Sequence, residues 1–238
     1  MNTFRLRTSF GFTFVEVMTA MAAGLIVLSA ALQSVVFFQR QFLLRHERII
    51  QTQDVRLGLE LFQQELRLAV SESLSVVQPD SIEFQANVSG LMTNVTAPVA
   101  PGQTAFTVED GRGWPEGKLV RMCWNDQCEQ ATLARAGQRN VLTIVEPASR
   151  PIPSGASTTV MNHVRYYVRP DEGGRLRWLR QIDGGASVIA ADIASFSLRY
   201  RDAGGRPVVA PESVRRIVVE IALPGRAAKE TREIGLRS

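Results

Sequence analysis

The stretch GFTFVEVMTAMAAGLIVLSAALQSVVFF, residues 11–38, decides how the rest of the chain is read. From Phe12 to Phe38 it holds 27 residues with one charged side chain, Glu16, and no proline. As a helix it measures about 40 Å, enough for the roughly 30 Å hydrocarbon core of a bilayer. Ahead of it, MNTFRLRTSFG carries Arg5 and Arg7 and no acidic residue, which predicts a cytoplasmic N-terminus and an exported C-terminus. A secretory signal has a shorter apolar core followed by a small-x-small cleavage site. This run is too long for that and continues without a break, so it reads as a segment the protein keeps.

Glu16 is the anomaly. A lone charge within the membrane costs about 2.5–3.5 kcal/mol on insertion scales and calls for a partner. Residues 12–38 contain no Lys or Arg. Cleavage between Gly11 and Phe12 supplies a cation, because Phe12 then carries a free α-amino group four residues from Glu16 on the same helical face. The carboxylate can meet its own amine or that of a neighbouring subunit. The positive end of the helix dipole also favours an acid in the first turn.

Beyond the apolar run, residues 39–70 lack proline, and Val55, Leu59, Phe62, Leu66 and Ala69 recur at spacings of 4, 3, 4 and 3. That stripe predicts an amphipathic continuation of the helix, with Arg56, Glu60, Glu65 and Arg67 on other faces. Gly24 and Gly58 are the expected soft points in a helix of roughly 90 Å over residues 12–70. After Ser71 the pattern becomes short β-like runs, among them SIEFQA, KLVRMCW, VRYYVR, LRWLRQI, SFSLRYR and RRIVVEIAL. Turn punctuation separates them, as in QPD, RPDEGG, DGG and DAGG, and residues 87–103 read as a longer loop. The expected fold class is α+β: leader 1–11, transmembrane helix 12–38, amphipathic helix 39–70, and an antiparallel β-rich domain over 71–238.

Composition excludes some classes. The formal charge is +4, two units of which come from Arg5 and Arg7, so near neutrality gives no argument for nucleic acid. Cys123 and Cys128 are separated by four residues, which fits neither CxxC redox nor zinc spacing. A disulfide across a tight hairpin suits an exported domain, and free thiols suit a reducing compartment.

GFTFVE behind a short basic leader and ahead of an apolar helix resembles the class III signal of type IV prepilins and type II secretion pseudopilins. The resemblance implies cleavage by a membrane prepilin peptidase after Gly11, N-methylation of Phe12, and Glu16 as the assembly carboxylate. The family usually has Leu where Phe14 stands. The segments QDVRLGLELFQQELRLA, VRYYVRPDEGGRLRWLRQIDGG and VRRIVVEIAL are similar to minor pilins of the PilW type. So is the apolar segment with Ala191, Ile193, Phe196, Leu198 and Tyr200, and all of these are related more loosely to J-type minor pseudopilins. The implied partners are other minor pilins and the major pilin, the peptidase, an inner-membrane assembly platform, and lipid before assembly. The implied work is to initiate or cap a pilus, with a secretion pseudopilus or a simple signal anchor as the rivals. It calls for no cofactor.

Other chemistry is weaker in the sequence. His46 and His163 lie in a helical and a β-like segment, and no GxSxG elbow is present, so no enzyme is expected. Asp171, Glu172 and Asp202 do not match an EF-hand loop, and no metal is expected. Arg165, Arg169, Arg175, Arg177 and Arg180 beside Tyr166, Tyr167 and Trp178 raise the idea of a DNA surface. Strand alternation places such arginines on a solvated face without any DNA. Trp114, beside Pro115, reads as packing under a loop in preference to anchoring a partner.

Overall fold

The computed structural model of the chain describes residues 13–226 and 228–236. Gly11 and Phe12, with the leader, lie outside the described residues. The architecture is α+β: one long N-terminal helix and a C-terminal β-rich domain whose strand pairs are all antiparallel. Helix α1 runs from Phe14 to Leu68 without interruption at Gly24 or Gly58. The chain divides into two compact units, Met1–Ile50 and Gln51–Ser238. In the first unit every described position from Thr13 to Phe42 is exposed.

In the second unit the last five turns of α1 bury Val55, Leu59, Phe62 and Leu66. Each is fully enclosed and stabilises the unit by about 1.5–3 kcal/mol relative to exposure. They pack on a sheet that begins at once, with β1 at Ala69–Val77 and β2 at Ser81–Ala86. The central element is the 14-residue β8, Ser157–Pro170. Its C-terminal half lies between β2 and β9, Leu176–Ile182, and β10, Gly185–Ile193, pairs with the outer edge of β9. Its N-terminal part instead pairs with β3, Met92–Asn94, and β5, Leu119–Trp124, which pairs in turn with β6, Gln127–Thr132.

One strand therefore serves two cores. The first joins α1, β1, β2, β8, β9 and β10 to a three-stranded sheet of β11, Ser195–Arg201, β12, Arg216–Ala222, and β13, Lys229–Gly235. The second is built around Val95, Val99, Phe106, Trp114, Met122, Leu142 and Ile152, with β4, Ala105–Thr107, pairing β7, Val141–Thr143.

Three sequence readings change here. Residues 87–103 are not simply a loop: they include β3, and Val95 and Val99 are buried through isolated bridges to Val108 and Ile152. Gly58 is a site of close approach, since a Cβ there would stand 2.2 Å from Ile189 Cγ2 and 2.7 Å from Trp178 Cζ3. Glu65 is on no solvated face and is 4% exposed.

Candidate functional site

α1 opens at Phe14, so Thr13 is its cap residue and Glu16 its third position. The two close a capping box. The Thr13 N–H donates to Glu16 Oε2 at 2.9 Å, and the Thr13 hydroxyl donates to the same oxygen at 3.0 Å. In return the Glu16 N–H donates to Thr13 Oγ1 at 3.3 Å. Glu16 thus finds hydrogen-bond donors within its own first turn, before any amine is considered. The signal was legible as T-x-x-E at residues 13–16, directly ahead of the apolar run.

From Phe14 to Phe42 the helix is long and apolar enough to cross a membrane by length and composition. Its hydroxyls are spent internally. Thr19 Oγ1 donates to the Val15 and Glu16 carbonyls, Ser29 Oγ to Leu25 O at 2.7 Å, and Ser34 Oγ to Ala30 O at 2.9 Å. Such back-bonding leaves those three groups no need of water, which suits a segment surrounded by hydrocarbon. An exposed helix of this length and apolar content has the make-up of a membrane span, and a signal sequence near an N-terminus has the same make-up.

The second unit holds its own helix segment by a buried polar clamp. Arg180 of β9 embraces Glu65 with Nε at 3.0 Å from Oε2 and a second nitrogen on Oε1. Tyr166 of β8 donates its hydroxyl to Glu65 Oε2 at 2.5 Å. Burial, and then the hydrogen bond to Glu65, push the Tyr166 hydroxyl far above the ordinary phenol range. The hydrogen bond to Glu65 likewise holds Arg180 more firmly protonated. Around this clamp Phe62, Tyr166 and Trp178 pack edge-on or tilted, with ring centroids 4.6–6.1 Å apart.

Cys123 and Cys128 form a disulfide. They are directly opposed on β5 and β6, with Cα atoms 4.2 Å apart, behind a two-residue turn in which Asn125 and Asp126 take positive φ. That is the short cross-strand spacing of a non-hydrogen-bonded pair beside a type I′ turn.

The residues considered for catalysis and DNA are dispersed or occupied. His163 Nε2 lies 3.3 Å from Glu83 Oε2, and His46 stacks on Phe42. Tyr166, Trp178 and Trp114 are buried in the two cores, so they offer no stacking surface. Arg165 pairs with Glu83 and lies over the Tyr167 ring. Arg175 and Arg177 face Asp171. Asp171 and Asp202 each organise the same five-residue turn, D-x-G-G-R: Oδ1 accepts the N–H of Arg175 in one and of Arg206 in the other, both at 2.9 Å. Those backbone hydrogen bonds hold both carboxyls below the usual range. Among the described residues no group of three or more His, Cys, Asp or Glu is placed to hold a metal.

Compared with known proteins, the chain matches no family model, no curated protein and no solved structure.

Proposed function

We propose that the chain is a prepilin-like subunit, cut after Gly11 and methylated on Phe12, that acts as a minor type IV pilin in initiating or capping a pilus. The observation that carries this reading is α1 itself. Its first part is an exposed apolar helix with a single carboxylate in the opening turn, and its last part is the packed support of a β-rich domain. An element of that kind serves lipid first and other helices afterwards, with the same surface.

In this mechanism the subunit waits in the inner membrane with the β domain outside the cytoplasm. Thr13 satisfies the Glu16 carboxylate during that wait. On extraction by the assembly platform, Glu16 exchanges the Thr13 donors for the Phe12 amine of an adjacent subunit, and the apolar helices pack together. The work is assembly and involves no catalysis. The same residues support a second reading, a minor pseudopilin of a type II secretion system, which differs in where the filament ends.

The capping box also gives a signal anchor a sufficient reason to carry Glu16, so the test must separate charge from capping. Glu16→Gln keeps a side chain able to close the box and removes the charge. The proposal expects normal insertion and lost filament incorporation; normal incorporation overturns it. Mass spectrometry of sheared filaments and of envelopes distinguishes the machines. N-methylated Phe12 as the first residue in sheared pili supports the pilin. The same species confined to envelopes supports the pseudopilin or a basal initiator, and a chain uncut at Gly11 in both leaves only the anchor.

A further inference from the structure

Arg121 lies within β5 between Val120 and Met122, both fully buried in the second core. Strand alternation therefore turns its side chain to the opposite face of the sheet. Its register partners are Gln130 of β6 and Thr159 of β8. A cavity of about 280 Å³ opens on that face, lined by Arg121, Gln130, Met161 of β8, Gln85 of β2, and Ser73 and Ser75 of β1. Five hydrogen-bonded strands contribute to it, so its walls are held by sheet ladders and not by a loop. The volume lies just below the roughly 300–1,000 Å³ of pockets for drug-sized ligands, which suits an ion or a single acidic group.

Two arginines among the described residues have an enclosed Nε without a hydrogen bond, Arg121 and Arg165. Arg165 has Glu83 Oε1 3.1 Å away. No ion pair among the described residues includes Arg121. Glu83 is shared between His163 and Arg165, and Glu129, next to Gln130, accepts the Ser149 N–H at 2.6 Å. No carboxylate lines the cavity among the described residues. Its hydroxyls are spent on the backbone: Ser73 Oγ donates to Gln85 O at 2.9 Å and Ser75 Oγ to Glu83 O at 3.4 Å. The guanidinium and the side-chain amides of Gln85 and Gln130 are then the donors lining the space.

We infer that this cavity binds a small oxyanion, a carboxylate or phosphate group, with Arg121 as its charged donor and Gln85 and Gln130 as neutral ones. A guanidinium presents its N–H groups in a planar fork that matches two oxygens of such a group. A half-buried cation with no counter-charge is costly, and a bound anion removes that cost. The inference uses the Gln51–Ser238 unit alone and stands apart from membrane insertion and filament assembly.

The test is an NMR titration of the full chain in uncharged detergent with sodium phosphate or sodium acetate, ionic strength being held constant with sodium chloride. The expected result is a saturable shift of the Arg121 Nε–H and of the Gln85 and Gln130 side-chain amide resonances. Tighter saturation by phosphate marks a tetrahedral ligand and by acetate a planar one, and either supports the inference. Arg121→Gln should abolish the amide shifts. Arg121→Lys keeps the charge without the fork and should weaken saturation about tenfold, the worth of one charge-assisted hydrogen bond. Gln130→Glu places a carboxylate directly opposite Arg121. It should abolish anion binding while raising the unfolding midpoint, which separates lost binding from lost folding. Resonances that stay in place, or drift without saturating, overturn the inference and leave Arg121 to water. So does a Gln130→Glu chain that binds either anion as the parent does.

Discussion

Replacing Arg180 with Met should be among the most destabilising single changes in the β-rich unit. The Glu65 side chain is 5% exposed and that of Arg180 20%, so the ion pair sits largely out of water. Without the guanidinium, Glu65 keeps only the Tyr166 hydroxyl, one donor for a buried carboxylate. Breaking a buried pair from one side costs about 3–5 kcal/mol. Against a total stability of about 5–15 kcal/mol, that is a large share. The triple change Glu65→Leu, Tyr166→Phe, Arg180→Met removes every partner together and should fall within about 2 kcal/mol of the parent. Denaturant unfolding of the full chain in detergent measures both, read from near-ultraviolet circular dichroism of the Phe62–Tyr166–Trp178 cluster. A single change costing under about 1 kcal/mol, or a triple as damaging as the single, would refute the reasoning.

Gly58→Ala gains about 1 kcal/mol of helix propensity but drives a methyl against Ile189 and the fully buried Trp178, at about 1–3 kcal/mol. A net loss of about 1 kcal/mol in the same unfolding assay is expected. Reduction of Cys123–Cys128 should add about 2 Da to the intact mass. With only five residues of sequence separation, the bond should contribute about 2 kcal/mol, measured as the shift in unfolding midpoint of Cys123→Ala/Cys128→Ala. Tyr166 and Tyr200 both have hydroxyls raised by burial in the folded state. Their stabilisation is complete below the unfolded phenol pKa of about 10 and is lost as pH climbs above it, by up to about 2.7 kcal/mol per pH unit for the two together. Unfolding midpoints that stay level between pH 10 and 12 would contradict this.

Much of the fold was legible because its signals are periodic. The stripe Val55, Leu59, Phe62, Leu66 is buried along its whole length, as its 3.6-residue spacing predicts. The readings that failed depend on partners far away in sequence. Glu65 looks like any helix-surface acid until Tyr166 and Arg180, 101 and 115 residues on, converge on it. Gly58 looks like a weak helix residue until Trp178 approaches it. β13, KETREIG, carries mostly charge because it is an edge strand with Ile234 alone turned to the core, so it lacks a strand's usual apolar alternation. At the candidate site the balance differs. Glu16 is conspicuous as a lone charge in an apolar run, whereas Thr13, a common residue type, gains meaning only through its three-residue spacing to Glu16, although that signature is purely local. The repeated D-x-G-G-R turn is likewise local in sequence, at 171–175 and 202–206, but two five-residue copies are too short to stand out as a repeat.

The division of β8 between two cores bears on how freely this surface can diverge. The second core draws on residues from Val95 to Val160 and on none from α1. It meets the helix-supporting core along β8 and through the Lys118–Asp183 ion pair, so its outer residues away from that pair can be exchanged without disturbing the helix seat. Variation concentrated between Asn87 and Ala156 would let one inherited scaffold acquire new recognition faces. The elements that carry α1 would meanwhile stay under strict steric constraint, imposed by Gly58, Trp178 and the Glu65 clamp.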